Sequence, residues 1–213
     1  MTPARLLPLV LLGVAGLLIG ALTRLVLRRL RRPILLRTGW CEGGTALVLF
    51  GLGMLGVQCG VGWQALLIPM AIALFGVPLV CADLLCCRLP NALTTAGYPL
   101  VALAVFGQVL RTGDTAMAWR ALLGALLFGL GYAVSWWLRP DALGAGDVKL
   151  VGSLGAALGA VSLLAVPVCA LFAALCTAVS ALASPRRRVG VPHAPGLVLG
   201  ALLITALSGG GIG

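Results

Sequence analysis

From Leu150 to Ala183 the chain runs without one charged residue. About 20 mostly apolar residues suffice to cross a bilayer, so this run is too long for one span. Peptide groups inside hydrocarbon must find their hydrogen bonds within the segment, which selects helices. Two helices are therefore expected here, with a turn near Gly159 or Pro167. The same criterion applied to the whole sequence marks eight apolar segments, at 6–27, 44–62, 64–85, 92–110, 116–138, 149–163, 164–184 and 194–209. The expected fold is all-α: a polytopic membrane helical bundle of about eight transmembrane helices. No internal repeat and no long linker divides the chain, so residues 1–213 are expected to form a single transmembrane domain.

The charge content supports the same reading. Hydrophobic residues make up 61% of the chain and charged residues 9%, and mean hydropathy is +1.14. Soluble domains are about one quarter charged, and a domain this small has too little interior to hide so much apolar surface from water. The lipid bilayer is the expected solvent. The net charge of +10 comes from 15 basic residues against five acids. The basic residues gather at the ends of apolar runs, as in membrane proteins, and form no nucleic-acid-recognition motif. Nucleic acid is not an expected partner.

Orientation follows from the arginines. Arg24, Arg28, Arg29, Arg31, Arg32 and Arg37 follow the first segment, and Arg186, Arg187 and Arg188 precede the last. Together with Arg88, Arg139 and Lys149 they put twelve basic residues on one side of the membrane, leaving Arg5, Arg111 and Arg120 on the other. The positive-inside rule assigns the twelve to the cytoplasm and both termini to the exterior. The first segment has one Arg before it and six after it, the reverse of a secretory signal. The seven cysteines form no C-x-x-C pair and read as small apolar residues within spans.

Acids in or beside membrane spans are costly and mark candidate sites. The five are Glu42, Asp83, Asp114, Asp141 and Asp147. Asp83 falls at the end of the third segment and Asp147 at the start of the sixth. The arginine-derived topology sets both at the cytoplasmic face. Asp114 and Asp141 read as loop charges. Two neighbouring carboxyl groups tend to share one proton, which suits hydrolysis without metal or cofactor: one member activates water while the other polarises a carbonyl. Gly144 and Gly146, just before Asp147, free the backbone for close approach of a substrate strand. Pro90 suits a turn or the first position of the fourth helix, and Asn91 and Thr94 suit capping of its free N–H groups. Other readings stay open. Asp83 suits pairing with Arg88, Asp147 suits capping of the sixth helix, and Lys149 suits a snorkelling anchor. The two acids also suit a proton relay.

These residues resemble the motifs of the type IV prepilin peptidases, a family of GxGD intramembrane aspartic peptidases. Asp83 is followed after five residues by Leu89-Pro90-Asn91-Ala92-Leu93-Thr94, where the family has Leu-Pro-Asp and Leu-Thr. Gly144-Ala145-Gly146-Asp147-Val148-Lys149-Leu150 matches Gly-x-Gly-Asp-x-Lys-Leu. Pro192-His193-Ala194-Pro195 is similar to a later Pro-Phe-Gly-Pro element. The resemblance covers about residues 64–205. It implies catalysis by Asp83 and Asp147, with Gly144, Gly146, Lys149, Pro90 and Asn91 as substrate-binding or loop-supporting residues. It also implies prepilin or pseudopilin substrates with short basic leaders, cut at the cytoplasmic face of the inner membrane, in pilus assembly or type II secretion.

The sequence departs from the family at three places. Asn91 replaces Asp. His193 replaces an aromatic residue and reads as a packing or surface group. The loop at about 28–43 carries only Cys41, where bifunctional members carry paired C-x-x-C zinc ligands. Tetrahedral zinc takes four ligands, so a shortened form without metal, cofactor or methyltransferase loop is expected. The rival readings are a peptidase for a preflagellin-like substrate, a proton-coupled transporter, and a catalytically inactive assembly factor.

Overall fold

The computed structural model describes residues 3–29, 38–140, 144–183 and 191–209. Among them the chain forms eight α-helices and no strand: α1 Pro3–Arg28, α2 Trp40–Cys59, α3 Leu67–Cys86, α4 Asn91–Thr112, α5 Ala116–Leu138, α6 Ala145–Val161, α7 Ala165–Ala183 and α8 Ala194–Gly209. A short 3-10 turn, Trp63–Leu66, leads into α3. Six helices, α1 to α5 and α7, are long and apolar enough to cross a membrane. The other two are shorter, with 17 residues in α6 and 16 in α8. The all-helical, multi-pass membrane bundle expected from hydropathy is the observed architecture.

The turn in the long uncharged run lies between the two expected places. α6 continues past Gly159 to Val161, and Pro167 already sits in the first turn of α7, where its missing N–H costs nothing. The reversal uses Ser162, whose hydroxyl accepts the Leu164 N–H at 3.3 Å. Helix α2 begins four residues before the apolar segment does. The Glu42 carboxylate accepts the Gly39 N–H at 3.0 Å and satisfies a free donor at that end. Hydropathy counts that acid against a span, whereas the helix uses it as a cap.

Helix α3 runs through the core. Its Ile72, Phe75 and Leu79 are fully buried, and it packs against α2, α4 and α8. Helix α6 is the second core element, packed against α4, α5 and α8. Its contact with α5 is a glycine seam. A Cβ on Gly124 would stand 2.7 Å from the Gly159 Cα, so only glycine lets these backbones approach. Gly129, further along α5, takes no part in this seam, since a Cβ there would meet nothing within 4 Å among the described residues. The outer faces carry exposed Leu7, Leu18 and Leu22 on α1, Leu126 and Leu130 on α5, and Leu171 and Leu182 on α7. Such a belt suits lipid and would drive aggregation in water.

Candidate functional site

Asp83 occupies the last turn of α3. The helix ends at Cys87, which takes a left-handed conformation with φ 46° and donates its N–H to the Asp83 carbonyl at 2.8 Å. The chain then reverses through Arg88, Leu89 and Pro90 into α4. The Asp83 side chain is buried. Its Oδ2 accepts the N–H of Ala194, the first residue of α8, at 3.0 Å, and the His193 N–H also faces this carboxylate. The first N–H groups of a helix lack internal partners and carry partial positive charge. Asp83 therefore caps α8 from another helix. It does not pair with Arg88, whose side chain is exposed, because the α8 amide takes its place.

Asp147 is the third residue of α6. Gly144 precedes the helix in an extended conformation, and its carbonyl accepts the Asp147 N–H at 3.0 Å. The carboxyl group is half-buried, and its Oδ1 is shielded from solvent without a hydrogen-bond partner among the described residues. The two acids stand on adjoining segments, at the end of the bundle where α3 finishes and α4, α6 and α8 begin.

Three contacts hold these segments together. A Cβ on Gly146 would lie 2.8 Å from the Leu89 Cβ, so α6 rests on the α3–α4 turn through its bare glycine. The Lys149 Nζ donates to Asn91 Oδ1 at 2.9 Å. The Tyr98 hydroxyl donates to the Lys149 carbonyl at 2.8 Å. Lys149 is exposed, as an anchor would be, yet its ammonium bridges two motifs that lie far apart in sequence.

Gly144 and Gly146 keep ordinary dihedrals: Gly144 has φ −73°, and neither is among the positive-φ residues. Both stand in close approach to other groups, Gly146 to Leu89 and Gly144 to the Asp147 carboxylate. Pro90 lies in the turn before α4, the first of its two expected places. One local expectation is corrected: Asn91 and Thr94 do not cap free N–H groups. The Asn91 side-chain oxygen accepts from Lys149 instead, and the Thr94 hydroxyl donates to the Asn91 carbonyl at 3.1 Å.

His193 belongs to this region in a way its sequence position does not reveal. Its Nε2 lies 2.8 Å from the Tyr132 hydroxyl on α5, and its Nδ1 lies 2.6 Å from the Thr177 hydroxyl on α7. The ring also stacks on Tyr132 at 5.8 Å. Burial pushes the imidazole below its ordinary pKa, so it is neutral at neutral pH. No local signal points to these partners, which stand 61 and 16 positions away.

The remaining acids lie elsewhere. Asp114 pairs with Arg120 at 2.9 Å in the α4–α5 turn, at the opposite end of α4 from the site. Glu42 pairs with Arg24 at 2.6 Å between α1 and α2. Asp141 lies outside the described residues, as do Arg31, Arg32, Arg37, Arg186, Arg187 and Arg188.

The fold and the site define a class: a multi-pass helical membrane protein that gathers two carboxyl groups at one end of its bundle. Comparison with family models makes the class particular. The model of the type IV leader peptidase family matches residues 70–182, which is more than half of the chain and includes both Asp83 and Asp147. The chain belongs to the type IV leader peptidase family. No curated protein and no solved structure matches it in the corresponding comparisons.

Proposed function

We propose that this protein is an aspartic endopeptidase that removes the short basic leader of a prepilin-like or pseudopilin substrate. Family membership supports a peptidase acting on protein substrates in a membrane. The observation that supports the aspartic assignment is the packing of the Asp147-bearing start of α6 on the segment that follows Asp83, Gly146 against Leu89 and Lys149 on Asn91.

In this reading the two carboxyl groups hold one proton between them. The ionised member takes a proton from water as the oxygen attacks the scissile carbonyl. The protonated member donates a hydrogen bond to the carbonyl oxygen, and a proton passes to the departing amine as the C–N bond breaks. The pair titrates as a unit, so neither role belongs to one residue alone. The Ala194 amide fixes the angle of Asp83. Gly144, Gly146, Lys149, Pro90 and Asn91 hold the two acid-bearing segments against each other, and residues 1–213 act as one transmembrane domain.

The arginine distribution supports a multi-pass arrangement in the inner membrane with the site facing the cytoplasm, where a basic leader would stay. Co-expression with a tagged prepilin tests the activity. Wild type shortens the substrate by its leader, and Asp147→Asn leaves it uncut. Cysteine labelling tests the orientation: an externally accessible Arg187 loop would set the site on the wrong side for cytoplasmic leaders.

A further inference from the structure

The Tyr132–His193–Thr177 cluster lies outside the carboxyl pair, yet one peptide group joins it to Asp83. The Thr177 hydroxyl donates to the Ala173 carbonyl at 2.8 Å. A hydroxyl has one hydrogen, so toward His193 it accepts. Nδ1 of the imidazole therefore carries the proton and donates to Thr177. Nε2 of the neutral ring carries none and accepts from the Tyr132 hydroxyl. Both ring nitrogens are satisfied, from two different helices, and the ring is stacked on Tyr132 as well.

The peptide that follows this ring makes the 3.0 Å hydrogen bond to Asp83, beside the His193 N–H of the peptide before it. Its carbonyl belongs to His193 and accepts the Leu197 N–H at 3.4 Å, and its N–H belongs to Ala194 and donates to Asp83 at 3.0 Å. A peptide group is planar and rigid. Holding the His193 side chain between α5 and α7 therefore sets the direction of the Ala194 N–H. Pro195 has no N–H of its own, so the next residue offers no substitute donor.

We propose that His193 is a positioning residue for Asp83: its Nδ1-protonated ring is clamped by Tyr132 and Thr177 and thereby aims the Ala194 amide at the carboxylate. This rests on the proposed role of Asp83. It also gives α5 and α7, which contribute no acid to the site, a part in the geometry of the reaction. The polar ring at this place is held by directed hydrogen bonds, which an apolar aromatic side chain cannot make.

Two measurements on the purified full-length chain test it. His193 is the sole histidine, so 15N-histidine labelling gives one imidazole to observe. Wild type at neutral pH should show the Nδ1–H tautomer, and Tyr132→Phe or Thr177→Val should convert it to a mixture. A wild-type Nε2–H tautomer would overturn the assignment. The second measurement is steady-state cleavage of a tagged prepilin. His193→Phe keeps an aromatic ring without the hydrogen bonds. It should lower kcat about 10- to 100-fold with KM little changed, as expected when a reacting group is misaligned. His193→Asn restores a donor near the Nδ1 position and should recover part of the loss. Tyr132→Phe is nearly isosteric and should lower kcat in the same direction, with a less than additive effect in the double variant. Wild-type kcat for His193→Phe would refute the clamp. Asp83→Asn and Asp147→Asn run in the same assay separate the two ideas. If both are silent while His193→Phe is normal, only the clamp fails. If either acid variant cleaves normally, the carboxyl-pair reading fails instead.

Discussion

The two acid-bearing helices present their carboxyl groups by opposite means. Asp83 ends a long helix through the core, is buried, and is tied to an amide 111 positions further along the chain. Asp147 begins a short glycine-rich helix, is half-buried, and keeps one oxygen without a partner. Its placement comes from the Gly146–Leu89 approach, to the turn that follows Asp83, and the Lys149–Asn91 bond, to the first residue of α4. One acid is aimed by distant tertiary structure and the other by contacts between neighbouring motifs. The pair therefore depends on α8 for one half and on the α3–α4 turn for the other. Damage to either support misplaces a different carboxyl group.

The severest test removes the charge from each acid in turn. Asn keeps nearly the same shape but cannot ionise. Asp83→Asn and Asp147→Asn should each leave an inserted protein whose prepilin cleavage falls by about 10²- to 10⁴-fold or more, the range of a lost general acid or base. Despite their different surroundings the two losses should be similar, because one shared proton needs both groups. Near-wild-type cleavage by one variant at equal expression would break the symmetry of function that the asymmetry of support is built to serve.

The next largest effect is expected at the Asp147 support. Gly146→Ala places a methyl group 2.8 Å from the Leu89 Cβ, backbone-anchored on both sides. The α6 N-terminus must then move by some tenths of an ångström or more. A loss of about 10- to 100-fold in kcat follows if catalysis needs close alignment. Gly129→Ala, which meets nothing within 4 Å, is the matched control and should cleave as wild type. Equal activity in the two variants would mean that the Leu89 contact does not position Asp147.

Much of this was legible before any coordinates. The eight helices follow from the cost of unsatisfied peptide groups in lipid, which forces apolar runs into one conformation. Asp83 and Asp147 stood out because acids are rare beside spans. What escaped the sequence is of two kinds. The helix starts at Trp40 and Ala145 precede the apolar segments, since hydropathy penalises Glu42 and Asp147 although first-turn acids favour a helix. The partner of Asp83 is a backbone N–H, which no side chain advertises. The same holds for His193, whose neighbours on α5 and α7 come together only through packing. The segment Pro192-His193-Ala194-Pro195 was legible as a motif, but its bond to Asp83 was not.

A milder change sharpens the role of the bridge between motifs. Lys149→Met keeps the length of the stem and removes the donor to Asn91. Cleavage should fall severalfold, because an exposed hydrogen bond contributes only about 1 kcal/mol. Asn91→Asp should act oppositely. It converts the 2.9 Å contact with Lys149 into a charge-assisted pair, with full activity and a slight gain in thermal stability, limited by the exposure of both groups. If Asn91→Asp instead abolished cleavage, a third carboxyl group near the pair would be disturbing its proton, and the contact could not be read as structural support.

The smallest effect is expected at Asp114, and it tests whether position rather than acidity distinguishes the pair. Asp114 is also an acid beside a helix end, and it is also hydrogen-bonded, to Arg120 at 2.9 Å. The Arg120 guanidinium holds its carboxyl below the usual carboxylate range. It sits past the C-terminus of α4, however, while the site lies at the N-terminus of that helix. A helix of 22 residues separates them, roughly 33 Å at 1.5 Å per residue. At that distance an exposed charge is screened, since the Debye length at physiological salt is about 8 Å. Asp114→Asn should therefore cleave within about twofold of wild type, in keeping with the small worth of exposed ion pairs. Its trace should appear in stability instead, and the sign is set by the lowered pKa. The Arg120 pair stabilises the fold at pH above the ordinary carboxylate range, and this is lost as pH falls through the folded-state value. Unfolding temperatures of wild type and Asp114→Asn should thus differ slightly at neutral pH and converge in acid. A large loss of cleavage at equal expression would show that an acid at the far end of the bundle matters as much as the two at the site, and the contrast between Asp83 and Asp147 would no longer describe the reaction.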